Sequence, residues 1–237
     1  MIAGLSNPQR FMRASAALLP WMAAAAAATL GAALIWALLF SPEDAVQRQA
    51  VRILYVHVPA AWWSMGIFAF MGVASFIGIV WRHALADLAA KAAAPVGAAY
   101  AGLALITGSL WGAPTWGTWW VWDARLTSML ILFLTYLGYL SLWAAVEDEA
   151  KAARLAAILC LAGLINLPIV HFSVTWWNTL HQPASILRTG GSAMHPAMLH
   201  PLLLSALGYA LAFAALLMAG MRAEIFRRRA LAARAHA

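Results

Sequence analysis

Six apolar stretches, each close to the length a helix needs to cross a bilayer, leave this 237-residue chain few folds to choose from. They run near 20–40, 58–81, 93–111, 126–146, 153–172 and 198–221. A span takes about 20 helical residues, and an unpaired backbone is costly where there is no water to bond it. Composition agrees, because 65% of the residues are hydrophobic and only 10% are charged, which excludes an ordinary soluble domain. The expected fold is therefore an all-α membrane protein of six transmembrane helices, a single integral membrane domain over 1–237. The first stretch follows Arg10 and Arg13 as a signal peptide would. It is too long for an h-region and ends in Trp36 to Phe40 rather than in a small-residue cleavage site, so it reads as a retained helix.

A net charge of +7 suggests nucleic acid only until the basic residues are placed. Most of them flank the spans, as membrane orientation requires. With the N-terminus inside, one side carries Arg10, Arg13, Arg82, Lys91, Lys151, Arg154, Arg222, Arg227, Arg228, Arg229 and Arg234. The other carries Arg48, Arg52, Arg125 and Arg188. Eleven against four predicts both termini in the cytoplasm and no nucleic-acid partner. Cys160, the single cysteine, lies within a span, so neither a disulfide framework nor a thiolate metal site is expected.

Between the third and fourth spans, residues 111–128 hold five of the thirteen tryptophans: Trp111, Trp116, Trp119, Trp120 and Trp122. Gly112, Pro114 and Gly117 predict a break in helical structure there, and Asp123 and Arg125 follow at once. The charge bias turns this segment outward. One reading is an aromatic belt at the lipid–water boundary. The other is a platform for a large, flat, apolar ligand with a charged edge.

The remaining connections read more simply. Ser41–Tyr55 is an outer segment, with Val46, Ala50, Ile53 and Leu54 placed to share the apolar face of a short surface helix. Arg82, His83, Asp87 and Lys91 read as one inner loop, and Glu147, Asp148, Glu149, Lys151 and Arg154 as the next. Pro168 is expected to bend the fifth span. Residues 173–197 form the last outer loop, with Gly190-Gly191 as a turn.

Of the seven histidines, His57 lies at the outer mouth of the second span and His181 in the last outer loop, on the side of the tryptophans. Two neutral imidazoles on one face suit both axial positions of a haem, whose porphyrin supplies the other four ligands. They equally suit interfacial residues bonded to backbone or water. A zinc site would want three or four ligands at closer spacing. Arg52, Arg125 and Arg188 are candidate partners for haem propionates, the alternative being lipid phosphate. His171 is a candidate to orient a ligand or simply to pack. His195 and His200 read as helix-end residues.

Trp116-Gly117-Thr118-Trp119-Trp120-Val121-Trp122-Asp123-Ala124-Arg125 resembles the "WWD" signature of the haem-handling proteins of cytochrome c maturation. Tyr55-Val56-His57-Val58-Pro59-Ala60-Ala61 and Trp176-Trp177-Asn178-Thr179-Leu180-His181-Gln182 narrow the resemblance to the haem exporter protein C family, over about residues 20 to 220. The resemblance implies that His57 and His181 are axial ligands of haem b (iron protoporphyrin IX) and that residues 111–125 hold its edge. It implies a location in the bacterial inner membrane with the haem site on the periplasmic side. The implied partners are the lipid bilayer, the haem chaperone CcmE, the ABC transporter subunits CcmA and CcmB, and the small membrane protein CcmD. No phosphate-binding Gly-x-x-x-x-Gly-Lys-Ser/Thr loop occurs, consistent with the ATPase being another subunit. No catalytic residue is assigned, since delivery needs positioning more than acid or base. The competing functions are an electron-transfer haem b protein and a permease subunit.

Overall fold

A computed structural model describes residues 7–182, 185–186 and 190–235. Helix α1, Pro8–Ile35, continues through a π-helical turn at Trp36–Phe40. A 3-10 turn, Gln49–Ile53, runs directly into α2, Leu54–Trp81. Then come α3 (Ala84–Trp116), α4 (Ala124–Ala145), α5 (Glu149–Gly163), α6 (Asn166–Trp176) and α7 (Pro196–Ala235). Six units are long and apolar enough to cross a membrane, α5 and α6 together making the fifth. The protein is all-α among its described residues, with one isolated bridge between Asp44 and Arg48.

Several boundaries differ from those read in the sequence. The third helix does not stop at residue 111 but carries Gly112, Pro114 and Trp116 with it. Pro114 removes a single N–H, leaving only the Leu110 carbonyl without its helical donor. The helix ends one residue later, at Gly117, whose φ of 74° is the left-handed cap that glycine adopts without penalty. At its other end α3 already begins at Ala84, so Asp87 and Lys91 are helical and the loop shrinks to Arg82 and His83. Glu149, Lys151 and Arg154 belong likewise to α5, capped by the Asp148 side chain on Lys151 N–H. The expected surface helix is the short 3-10 turn, continuous with α2 and therefore not a separate element. The fifth span breaks at Leu164–Ile165, a turn before Pro168. The Leu164 carbonyl, which Pro168 cannot bond, accepts from Leu167 N–H at 3.1 Å instead.

The core explains why the histidine end is fixed in place. A stripe of alanines on α3 (Ala90, Ala93, Ala94, Ala101 and Ala104) is almost wholly buried against α2 and its neighbours. Small residues let helix backbones approach closely where lipid supplies no hydrophobic drive between them. Tyr136 of α4 fills the space above Gly97, packs edge-on against Phe68 and donates to the Ser64 carbonyl at 2.7 Å. Pro59 leaves the Tyr55 carbonyl without a helical donor, and the Ser205 hydroxyl of α7 supplies one at 2.6 Å. The start of α2 is thereby pinned to α7.

Residues 7 and 235 lie at one end of the bundle, where Arg222 of α7 donates to Met12 O of α1 at 2.7 Å. At that end Glu224 accepts from Lys91 at 2.9 Å and from Arg228 at 3.1 Å, and Arg227 and Arg228 reach Glu149. This ion cluster ties α3, α5 and α7 together. A cleft of about 650 Å³ beside it is lined by Pro8, Leu85, Leu88, Ile225 and Arg229. Both features lie at the opposite end from His57 and His181.

Candidate functional site

His57 sits in the first turns of α2, held between the 3-10 turn and Pro59. Its Nδ1 lies 3.0 Å from the Ala104 carbonyl and 3.2 Å from Thr107 Oγ1, both on α3. A carbonyl only accepts, so Nδ1 carries the proton and Nε2 keeps a bare lone pair. Thr107 spends its own proton on Leu103 O at 2.6 Å, which leaves its oxygen free to accept from the imidazole. Gly108 makes the approach possible, since a Cβ there would come within 3.0 Å of His57 Cε1.

His181 lies beyond the end of α6 at Trp176, in the connection to α7. Its backbone N–H donates to Thr179 Oγ1 at 2.9 Å, and the same oxygen is 3.3 Å from Nδ1. Asp123 Oδ2 stands 3.5 Å from that Nδ1, in ion-pair range but longer than a full hydrogen bond. Here too Nδ1 faces oxygen acceptors and Nε2 is the free nitrogen. Burial pushes the imidazole pKa down to about 4, with Arg125 adding to the effect and Asp123 opposing it. The ring is therefore neutral at physiological pH.

Both imidazoles pack against indoles from the end of α3. Trp111 meets His57 edge-on at 5.7 Å and Trp116 meets His181 at 4.8 Å. Trp111 also donates to Gln47 Oε1 at 2.9 Å, which draws the segment between α1 and α2 onto the site. Trp119 and Trp122 are 62% and 77% exposed, so they present an apolar face outward instead of filling the core. Trp120 packs on Trp122 at 5.5 Å, and its indole N–H is buried without a partner. Ile186 and Met194, from the connection to α7, pack with Val58 and Trp111 around the buried cluster of Ala37, Leu54, Tyr55 and Leu202.

The charged residues divide their work. Asp123 is the N-cap of α4, with Oδ1 accepting from Leu126 N–H at 2.8 Å. Arg125 donates through Nε to Ser173 Oγ at 3.1 Å and through Nη2 to His171 O at 3.3 Å, fastening α4 to α6. Among the described residues its other N–H groups have no hydrogen-bond partner. Arg52 donates to the Leu38 and Ser41 carbonyls at the end of the first span, while its Nε is buried without a partner. Arg188 lies outside the described residues. His171 contributes its carbonyl, and its exposed ring rests on Phe172. His195 caps α7, its Nδ1 accepting from Ala197 N–H, and His200 is exposed near Trp36. Among the described residues no group of three or more His, Cys, Asp or Glu side chains could hold a bare metal ion.

Gln47, Ala104, Thr107, Gly108 and Thr179 were not singled out from the sequence. Thr107 carried one usable signal, since it precedes Trp111 by four residues and so shares its helix face.

Six apolar helices with a tryptophan and imidazole face at one end define a multi-pass membrane protein. The sequence model of the family described as "Heme exporter protein C" matches residues 1–236. Curated relatives of that name agree. The protein from Bradyrhizobium diazoefficiens is 56% identical over 225 residues, covering 95% of this chain and 85% of its own length. The protein from Escherichia coli K12 is 49% identical over 218 residues, covering 92% and 88%. That from Paracoccus denitrificans is 49% identical over 225 residues, covering 94% and 93%. The chain belongs to the haem exporter protein C family, and is a membrane protein of haem transport in cytochrome c biogenesis.

Proposed function

We propose that this chain holds haem b between Nε2 of His57 and Nε2 of His181 and presents it to the haem chaperone CcmE on the periplasmic side of the bacterial inner membrane. The observation that carries the reading is shared by both imidazoles. Each has Nδ1 turned toward oxygen acceptors, Ala104 O and Thr107 Oγ1 in one case and Asp123 Oδ2 and Thr179 Oγ1 in the other. That pattern supports the tautomer in which Nε2 is the ligating atom.

Unsatisfied groups support the fit. Buried polar atoms normally find partners, and an orphan calls for a ligand or water. Among the described residues, Trp120 Nε1 and Arg52 Nε are buried without a hydrogen bond at the histidine end. Both are donors, the kind of group that meets propionate oxygens. The exposed indoles of Trp119 and Trp122 suit the apolar macrocycle, and Arg125 has donors to spare for its acidic edge. Haem supplies the iron and the vinyl group that is finally attached. The chain's own residues bind, orient and shield. CcmA, CcmB and CcmD are the proposed membrane partners, with ATP hydrolysis on the transporter side.

The test is spectroscopic. Purified His57→Ala and His181→Ala variants are expected to lose the low-spin bis-imidazole Soret and α/β bands while remaining membrane-inserted. Retention of that spectrum in both variants overturns the ligand assignment. Delivery is checked separately, by mixing haem-loaded protein with the chaperone and measuring haem lost from this chain. Undiminished haem occupancy would favour a resident electron-transfer group.

A further inference from the structure

Resting on that ligand reading, we propose that Asp123 makes the two axial imidazoles unequal, acting through His181 Nδ1–H as a positioning residue without touching haem itself. Its two oxygens are committed differently. Oδ1 caps α4 through Leu126 N–H at 2.8 Å. Oδ2 is buried, has no other partner and lies 3.5 Å from His181 Nδ1, on a side chain only 9% exposed. Because the cap holds the carboxylate, it cannot swing toward another donor without unpairing the start of a 22-residue helix.

Among the described residues no carboxylate pairs with His57. Its Nδ1 faces a peptide carbonyl and a hydroxyl, both neutral. A carboxylate behind a ligating imidazole fixes the ring plane and raises its basicity, whereas a neutral acceptor does less of the second. The more basic ligand favours ferric over ferrous iron, and the buried negative charge acts in the same direction. The Arg125 guanidinium nearby offsets part of that charge, but its Nε and Nη2 are directed at Ser173 and at the His171 carbonyl. Orientation also matters more at His181, which stands in a connecting segment while His57 is set in a helix. Asp123 and Thr179 give His181 the fixed ring that α2 and α3 give His57.

The experiment is a redox titration of haem-loaded protein in nanodiscs, followed at the α band, comparing wild type with Asp123→Asn and Asp123→Ser. Asparagine and serine both keep the helix cap and remove the charge, so either serves if the other folds poorly. The expected result is an intact low-spin spectrum with the ferrous-to-ferric ratio at the wild-type midpoint raised roughly tenfold, a positive shift of about 59 mV for one electron. A midpoint unchanged in the folded, low-spin Asp123 variants overturns the proposal. Failure of the underlying reading looks different, because it leaves bis-imidazole bands in both histidine-to-alanine variants whatever the midpoint.

Discussion

A neutral His181 makes a quantitative difference to how the haem-free protein responds to acid. Its folded pKa of about 4 lies below the value of about 6.5 expected in the unfolded chain, chiefly through burial and then through Arg125. Between those two values the unfolded chain binds a proton that the folded one refuses. Stability contributed by His181 is therefore full above pH 6.5 or so, falls as pH drops through the window, and is flat below about 4. Thermal melts of haem-free wild type and His181→Asn across this range are expected to converge at low pH, with the variant showing the shallower slope. Parallel slopes would mean the ring is not shielded as described. Residue type alone gives an imidazole its ordinary value near 6.5, whereas burial and the Asp123 contact depend on two segments 58 residues apart meeting in space. The residue types of the site were legible. Their partners were not, since Thr107 and Ala104 face His57 only through the rotation of α3 about its axis.

At the scale of elements, the site depends on how closely α2 and α3 approach. Gly108 is the contact point, where even one methyl group would come to 3.0 Å from His57 Cε1. Gly108→Val is expected to push the ring off Ala104 O and Thr107 Oγ1, at a cost of about 1–3 kcal/mol for overpacking. Haem affinity and the low-spin bands should drop together, nearly as far as in His57→Ala. Equilibrium haem binding with a melt of the same sample checks this, and wild-type affinity in a folded variant would refute it. The number and rough placement of the spans were readable from apolar length because the bilayer fixes that length. The end of α3 was not. Gly112 and Pro114 suggest a break, yet the backbone stays helical through Trp116, and only Gly117 leaves the helix. That persistence carries Trp111 and Trp116 on one rigid rod, which is why each can meet a different histidine. The discontinuity in the fifth span was anticipated from Pro168, but it falls a turn earlier, where Asn166 donates to Ser128 O at 2.8 Å and steadies the restart.

At the scale of the molecule, an even number of spans sends residues 7 and 235 to one end and the histidines to the other. Which end faces the cytoplasm is an electrostatic question. Lysine and arginine number eleven on the terminal side and four on the histidine side. Although Lys91, Arg227 and Arg228 pair with Glu149 and Glu224, orientation follows the count of basic residues near span ends rather than net charge, so the pairing does not weaken the bias. Two of the four arginines on the histidine side have structural contacts that account for them. Arg52 meets carbonyls at the end of the first span, and Arg125 fastens α4 to α6. A fluorescent protein that folds only in the cytoplasm, fused after Ala235, is therefore expected to fluoresce. A periplasm-dependent phosphatase fused in the same place should be inactive, and active when fused after Gly191. The opposite pattern would put both imidazoles on the cytoplasmic side and rule out hand-over of haem to a periplasmic chaperone, while leaving the ligand geometry untouched.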